Sequence, residues 1–377
     1  MSSARAGPLF SFALHRASLA LLLLLLAACA GTPEPLPEPP AAGDAATLEP
    51  EKEAGSPAPP LLAIPPASPL AEIVAIADDS LRRPPQPRMA ITTQGLMFTD
   101  QAYVESREAK RDWSRMLALA LAARDTGQSR YQLGLGEYLD AWLAVFQPGN
   151  DAISESPFDA VVLAVELRRE QLSLVQQQQL GRLFRRMANG YLDASRYPPG
   201  TAVNNWQSHR IKLASLMAFV LRDEALLKRC RAAFRKQIAE NLRPDGSVLD
   251  FEARDALRYV TYSLEPLLLT ALVAREHGQD WFAYESPGGS SLNRSLRWLA
   301  EYASGRKTHE EFRNTVVEFD RRRASAGLPG YSGRWNPADA SRCYQLAARL
   351  NPEWSQLADR LGPAPAWLEL RFPAQGR

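Results

Sequence analysis

The sequence predicts an all-α fold, and three observations lead there. From about residue 100 onward, apolar residues recur at helical spacing, in runs joined by short turns. No stretch alternates apolar and polar residues for long enough to read as a strand. Runs that are apolar on nearly every face, 211–221 (Ile-Lys-Leu-Ala-Ser-Leu-Met-Ala-Phe-Val-Leu) and 267–273, are interspersed with amphipathic ones such as 231–240. A helix that is apolar all round is buried on every side, whereas an amphipathic one keeps a wet face. An inner and an outer ring of helices satisfies both, so the predicted architecture is an α/α toroid, an incomplete barrel of stacked helical hairpins. A generic helical bundle is the plainer alternative.

Taken in order, a short helix is expected around 71–81, after which Pro84, Pro85 and Pro87 interrupt the chain. Helices then read over 111–124, ended by Asp125-Thr126-Gly127, and over 131–146, ended by Pro148-Gly149-Asn150. Ser156-Pro157 opens the next, which runs to about Leu167 with proline at the first position, where its missing N–H costs nothing. The series continues at 172–194, 204–221, 224–242, 254–277 (with Pro266 as a candidate kink), 292–303 and 309–323. Two short helices, 338–350 and 353–361, finish it.

The N-terminus has the three parts of a secretory signal: Arg5 and Arg16, the apolar core 21–26, and Leu26-Ala27-Ala28-Cys29. A cysteine directly after Leu-Ala-Ala is what bacterial lipoprotein processing reads. The apolar run 19–30 is too short to span ~30 Å of hydrocarbon at ~1.5 Å per residue. The expected organisation is therefore a signal peptide over 1–28, a lipidated Cys29 with a disordered tether over 29–70, and one domain over 71–377. Twelve of the 29 prolines fall within 33–69, which suits a tether with almost nothing to build a core. Ala30 is not the aspartate that often retains such proteins at the inner membrane, so a lipid anchor on the periplasmic side of the outer membrane is expected.

Loss of Arg5 and Arg16 takes the 44 basic residues to 42, against 42 acidic ones. Nothing in a neutral mature chain suggests a nucleic-acid partner, and an anionic ligand would need a local basic patch. With Cys29 lipidated, Cys230 and Cys343 remain. They form either a disulfide in an oxidising compartment or two free thiols packed as small hydrophobes. No metal-ligand spacing is present, and no cofactor is expected.

The mature chain has three histidines: His209, His277 and His309. His277 ends a helix before Gly278, where a cation complements the carbonyl end. His309, followed by Glu310-Glu311, reads as exposed. Only His209 stands in a polar cluster, Asn204-Asn205-Trp206-Gln207-Ser208-His209-Arg210, at the mouth of a buried helix. Such groups are costly there unless hydrogen-bonded. Capping by Asn204 or Asn205, with His209 satisfied in the core, is the structural reading; a site is the functional one. A second cluster runs from Asp250 to Tyr262. In it Arg254 and Arg258 share a helix face, as do Tyr259 and Tyr262, and Arg258 and Tyr262.

At these residues the chain resembles the alginate lyase family of α/α-toroid polysaccharide lyases, over roughly residues 90–360. Members carry Asn-Asn-His near the start of an inner helix, then Asp-Gly-Ser, an arginine, and Ala-Leu-x-Tyr-x-x-Tyr-x-Leu. Here Asp245-Gly246-Ser247 precedes Arg254 and Ala256-Leu257-Arg258-Tyr259-Val260-Thr261-Tyr262-Ser263-Leu264. The segment Thr126-Gly127-Gln128-Ser129-Arg130-Tyr131, leading to Leu139-Asp140-Ala141-Trp142, also looks like the family. The resemblance implies β-elimination on a uronate-containing acidic polysaccharide, without a metal. It implies that Asn205 and Arg254 bind the substrate carboxylate and that Tyr259 is the acid, with Asn204, Trp206, Arg258 and Tyr262 as further binding residues. The family's Asn-Asn-His-x-x-Trp stands here as Asn204-Asn205-Trp206-x-x-His209, so histidine and tryptophan have exchanged places. Either His209 acts as the base from one turn along, or a tyrosine takes that role. The exchange also leaves open a non-catalytic glycan-binding toroid that serves exopolysaccharide assembly.

Overall fold

The computed structural model describes residues 68–374. The expected signal peptide, Cys29 and the expected tether up to residue 67 lie outside the described residues. Fifteen α-helices are described. The first six are α1 (Pro69–Leu81), α2 (Gln101–Ala109), α3 (Arg111–Thr126), α4 (Ser129–Val145), α5 (Asp159–Arg168) and α6 (Leu174–Tyr191). Next come α7 (Asn205–Leu221), α8 (Glu224–Asn241), α9 (Leu249–Arg254), α10 (Leu257–Glu276) and α11 (Leu292–Ala303). The last are α12 (Glu318–Ser325), α13 (Ser341–Leu350), α14 (Ser355–Leu361) and α15 (Ala366–Arg371). Among the described residues, β-structure is limited to isolated bridges such as Leu242 with Val248.

The fold is an α/α toroid, and the split between inner and outer helices follows the apolar pattern. Every residue of α7 from Ser208 to Val220 is buried, because α5, α6, α8 and α10 all pack on it. In α10 the run from Pro266 to Ala274 is buried in the same way, against α7 and α13. By contrast α6, α8 and α11 bury one stripe each and leave the rest wet. Trp113 of α3 sits 5.2 Å from both Trp142 and Phe158, which joins α3, α4 and the 3-10 turn before α5. Helix starts carry the side chains that cap them. Ser68 accepts from Ala71, Ser173 and Gln176 form a reciprocal box, and Asp223 accepts from Leu226. Helix α1 begins at Pro69, two residues before the expected start, since proline is well placed in a first turn.

Three expectations are corrected. The helix expected over 309–323 is reduced to α12, because residues before it are spent on long-range bonds. Phe312 N–H reaches the Asp255 carbonyl at 2.8 Å, and Asn314 donates twice to the Asp255 carboxylate. The run 254–277 does not start at Arg254: it breaks at Asp255, whose φ of 51° is left-handed, and Pro266 lies inside α10. His309 is not simply exposed, since its Nε2 sits 2.9 Å from the Asp255 carbonyl. His277 pairs with Glu166 at 2.7 Å as well as ending α10. Cys230 and Cys343 are both free and buried, which selects the packed-thiol alternative.

Candidate active site

One cleft of about 620 Å³ opens among α1, α3, α5, α7, α10, α12 and α13. Asn205, Trp206 and His209 reach it from the first turns of α7. Arg258, Tyr259 and Tyr262 reach it from the first turns of α10, and Arg254 from the end of α9. The two polar clusters separated in sequence are thus brought together where two buried helices begin. Asn204 is not in the lining. Its extended backbone makes it the cap of α7, with its side-chain oxygen accepting from Trp206 N–H at 3.0 Å. Capping and lining are divided between neighbouring asparagines, and only Asn205 faces the cleft.

Asn205 is fixed from behind. Its Nδ2 donates to Asp250 Oδ1 at 2.5 Å, while Asp250 Oδ2 accepts from Asn241 Nδ2 at 3.1 Å and Ser263 Oγ at 2.8 Å. Asp250 therefore ties α7, α8, α9 and α10 together. Burial pushes its carboxyl up and these three donors oppose that. The start of α10 has no capping side chain of its own at Ala256. Glu311 accepts instead from Leu257 N–H and Arg258 N–H, at 2.7 and 3.3 Å.

Neither the Tyr259 nor the Tyr262 hydroxyl has a hydrogen-bond partner among the described residues, and neither is sealed off. Burial pushes both hydroxyls well up from the usual tyrosine range; for Tyr259, Arg254 and Arg323 pull the other way. The Arg254 guanidinium lies 3.9 Å over the Tyr259 ring and is held by Asp320 at 2.7 Å, so it is aimed rather than free. The His209 ring packs 4.3 Å from Tyr262. Burial, then the nearby Lys212 and Arg342, hold its imidazole well below the usual range, so it is neutral.

Sequence patterning missed several lining cations. Lys110, Lys212, Arg323 and Arg342 join Arg254 and Arg258, facing only Asp159 and Glu265. Burial brings the Lys110 amine down to about 8. Lys212 had a visible signal, being the one charge in the run 211–221. Lys110, Arg323 and Arg342 had none, since each sits among other polar residues. Arg210, from the same polar cluster as His209, is buried and turned to Thr201 and the Tyr197 ring. Asp245-Gly246-Ser247 also lies outside the lining. It is a turn pressed on α11, where a Cβ on Gly246 (φ 96°) would meet the Arg294 carbonyl at 2.7 Å. Trp142 and Asp140 are likewise structural, bonded to Asp112 and Gln176.

The family model for alginate lyase matches residues 44–309 of this chain. A curated polysaccharide lyase from Stenotrophomonas maltophilia (strain K279a) is 35% identical over 115 residues, which is 30% of this chain and 30% of that protein. The match thus spans under a third of that relative's length. An alginate lyase from Bacteroides ovatus is similar in structure, with a TM-score of 0.61 over 80% of this chain and 92% of its own, at 15% identity. Alginate lyase A1-III from Sphingomonas species A1 gives a TM-score of 0.54 over 81% and 94%, at 14% identity. A variant of alginate lyase A1-III complexed with tetrasaccharide gives 0.57 over 82% and 97%, at 16% identity.

Proposed function

Because the chain belongs to the alginate lyase family, we propose that it cleaves a uronate-containing acidic polysaccharide by β-elimination in this cleft. The observation that carries the reading is the pair of tyrosine hydroxyls without a hydrogen-bond partner among the described residues, in a cleft where six cations face two carboxylates. A uronate C5 proton becomes acidic when its carboxylate is neutralised, which calls for amide, guanidinium or other donors aimed at one point. Asn205 offers an amide fixed by Asp250, and Arg258 is an exposed residue lining the same cleft, its guanidinium 5.0 Å over the Tyr331 ring. Loss of the C5 proton then forms the C4–C5 double bond as the C4–O4 bond breaks, and O4 takes up a proton. Tyr259 suits that last step, since a hydroxyl pushed up by burial keeps its proton at neutral pH. His209 and the tyrosines are the groups available to remove the proton.

Incubation with a panel of uronate polymers tests this. The expected result is rising ultraviolet absorbance from the unsaturated product with at least one polymer. Binding without any such product across the panel would overturn it and leave a glycan-binding toroid.

The charge of the cleft gives a separate expectation. Arg258 makes no ion pair among the described residues, whereas Arg254 also neutralises the buried Asp320 and would cost stability when removed. Arg258→Ala should weaken polyuronate binding by about 10-fold, as loss of one charge-assisted contact implies, and flatten its salt dependence. Removing the exposed Arg322 should do neither. Equal effects of the two changes, measured by titration at two salt concentrations, would contradict a localised patch.

We further propose that Cys29 anchors the protein by lipid on the periplasmic side of the outer membrane. Support comes from Leu26-Ala27-Ala28-Cys29 behind an apolar run. Cys29→Ser should leave the membrane fraction and lose the mass of the acyl chains; identical fractionation and mass would end the reading.

A further inference from the structure

Behind the tyrosines lies a buried polar chain of Asp159, Lys212, Ser156 and His209. Lys212 Nζ donates to Asp159 Oδ2 at 2.6 Å, and to Ser156 O and Ser156 Oγ at 2.9 Å each. An ammonium has three hydrogens, so all are used. On its other side Ser156 Oγ is 2.6 Å from His209 Nδ1. His209 Nε2 is buried and has no hydrogen-bond partner among the described residues.

Counting donors and acceptors selects one arrangement. Lys212 occupies one lone pair of Ser156 Oγ, and His209 Nδ1 is the acceptor within reach of the serine hydrogen. If the serine donates to Nδ1, the ring hydrogen sits on Nε2 and one buried group is unmatched. If Nδ1 instead carries the hydrogen, both the serine hydrogen and the Nε2 lone pair are left bare. The first arrangement leaves fewer buried polar groups unsatisfied. The Lys212 charge favours it too, because it orients the serine oxygen toward the ammonium and the hydroxyl hydrogen toward the ring.

We infer that Lys212 and Ser156 are positioning residues that lock His209 in its neutral Nε2–H form, making it a hydrogen-bond donor toward the substrate carboxylate rather than the base. The donor role rests on the proposed elimination; the tautomer does not. With Nδ1 filled by a serine hydrogen and Nε2 already protonated, the ring has no lone pair to take the C5 proton. That leaves a tyrosine oxygen of the cleft to take the proton, and Tyr262 is the second such group beside the acid Tyr259. An unmatched N–H in a buried site gains most from an incoming carboxylate oxygen.

Long-range proton–nitrogen NMR of the full, substrate-free chain with labelled histidine reads the tautomer directly. His209 should show a protonated Nε2 and a bare Nδ1, and Ser156→Ala should shift it toward a mixture. A protonated Nδ1 in the wild type, or a pattern unmoved by Ser156→Ala, would overturn the lock. On any polymer that the wild type degrades, His209→Gln puts an amide N–H near the Nε2 position. It should stay within about 10-fold of wild-type turnover, while His209→Ala loses ~10²-fold. Equal losses in the two variants would overturn the donor role. Failure of every polymer to be cleaved would count against the elimination alone, with the NMR result still deciding the tautomer.

Discussion

Tyr259→Phe is expected to lower turnover on a uronate polymer by ~10²-fold or more while leaving the protein folded. The substitution removes one oxygen. The ring keeps its edge contacts with Tyr262 and Phe312, at 6.2 and 5.9 Å between centroids, and its stacking under Arg254. No hydrogen bond of the hydroxyl to a described residue is lost, so stability has nothing to lose at that atom. What disappears is the proton for the departing O4. Unchanged substrate affinity with collapsed turnover is the signature of a group that acts in the transition state. Full activity in the variant, on a confirmed substrate, would remove Tyr259 from the chemistry.

Asp250→Ala is expected to cost about 3 kcal/mol or more of stability, at ~1 kcal/mol or more for each donor left without its partner. Asn205, Asn241 and Ser263 would all lose their acceptor in a buried site where four helices meet. Denaturant unfolding measures the loss. Asp250→Asn keeps one carbonyl oxygen and should fall between the two. Both variants should also reduce turnover, because Asn205 loses the contact that aims its amide. A variant with wild-type stability would show that the four-helix tie is unimportant.

How much of this was legible in the sequence depends on how local each feature is. The buried character of α7 and of the later part of α10 is written in unbroken apolar runs, so the toroid and its inner helices were readable. The polar residues opening those runs marked the cleft, because polar side chains at the mouth of a buried helix need a reason. Register was harder. Whether Asn204 or Asn205 caps α7 turns on a single residue's backbone angles, with Asn204 at φ −96° and ψ −167°. The loop before α12 was not readable at all. Helical spacing over 309–323 is real, yet Phe312, Asn314 and His309 are drawn to Asp255, more than fifty positions earlier in the chain. Long-range polar bonds of this kind override local propensity and leave no trace in spacing. The cations Arg323 and Arg342 were missed for the same reason, since only tertiary packing carries them to the tyrosines.

The central claim is the bond-breaking chemistry, and the masses of the products test it most directly. Cleavage of a defined uronate oligosaccharide by the full chain should give two fragments whose masses add up to that of the substrate, the new non-reducing end being unsaturated. Fragments that together weigh one water more than the substrate would mean hydrolysis and contradict the account.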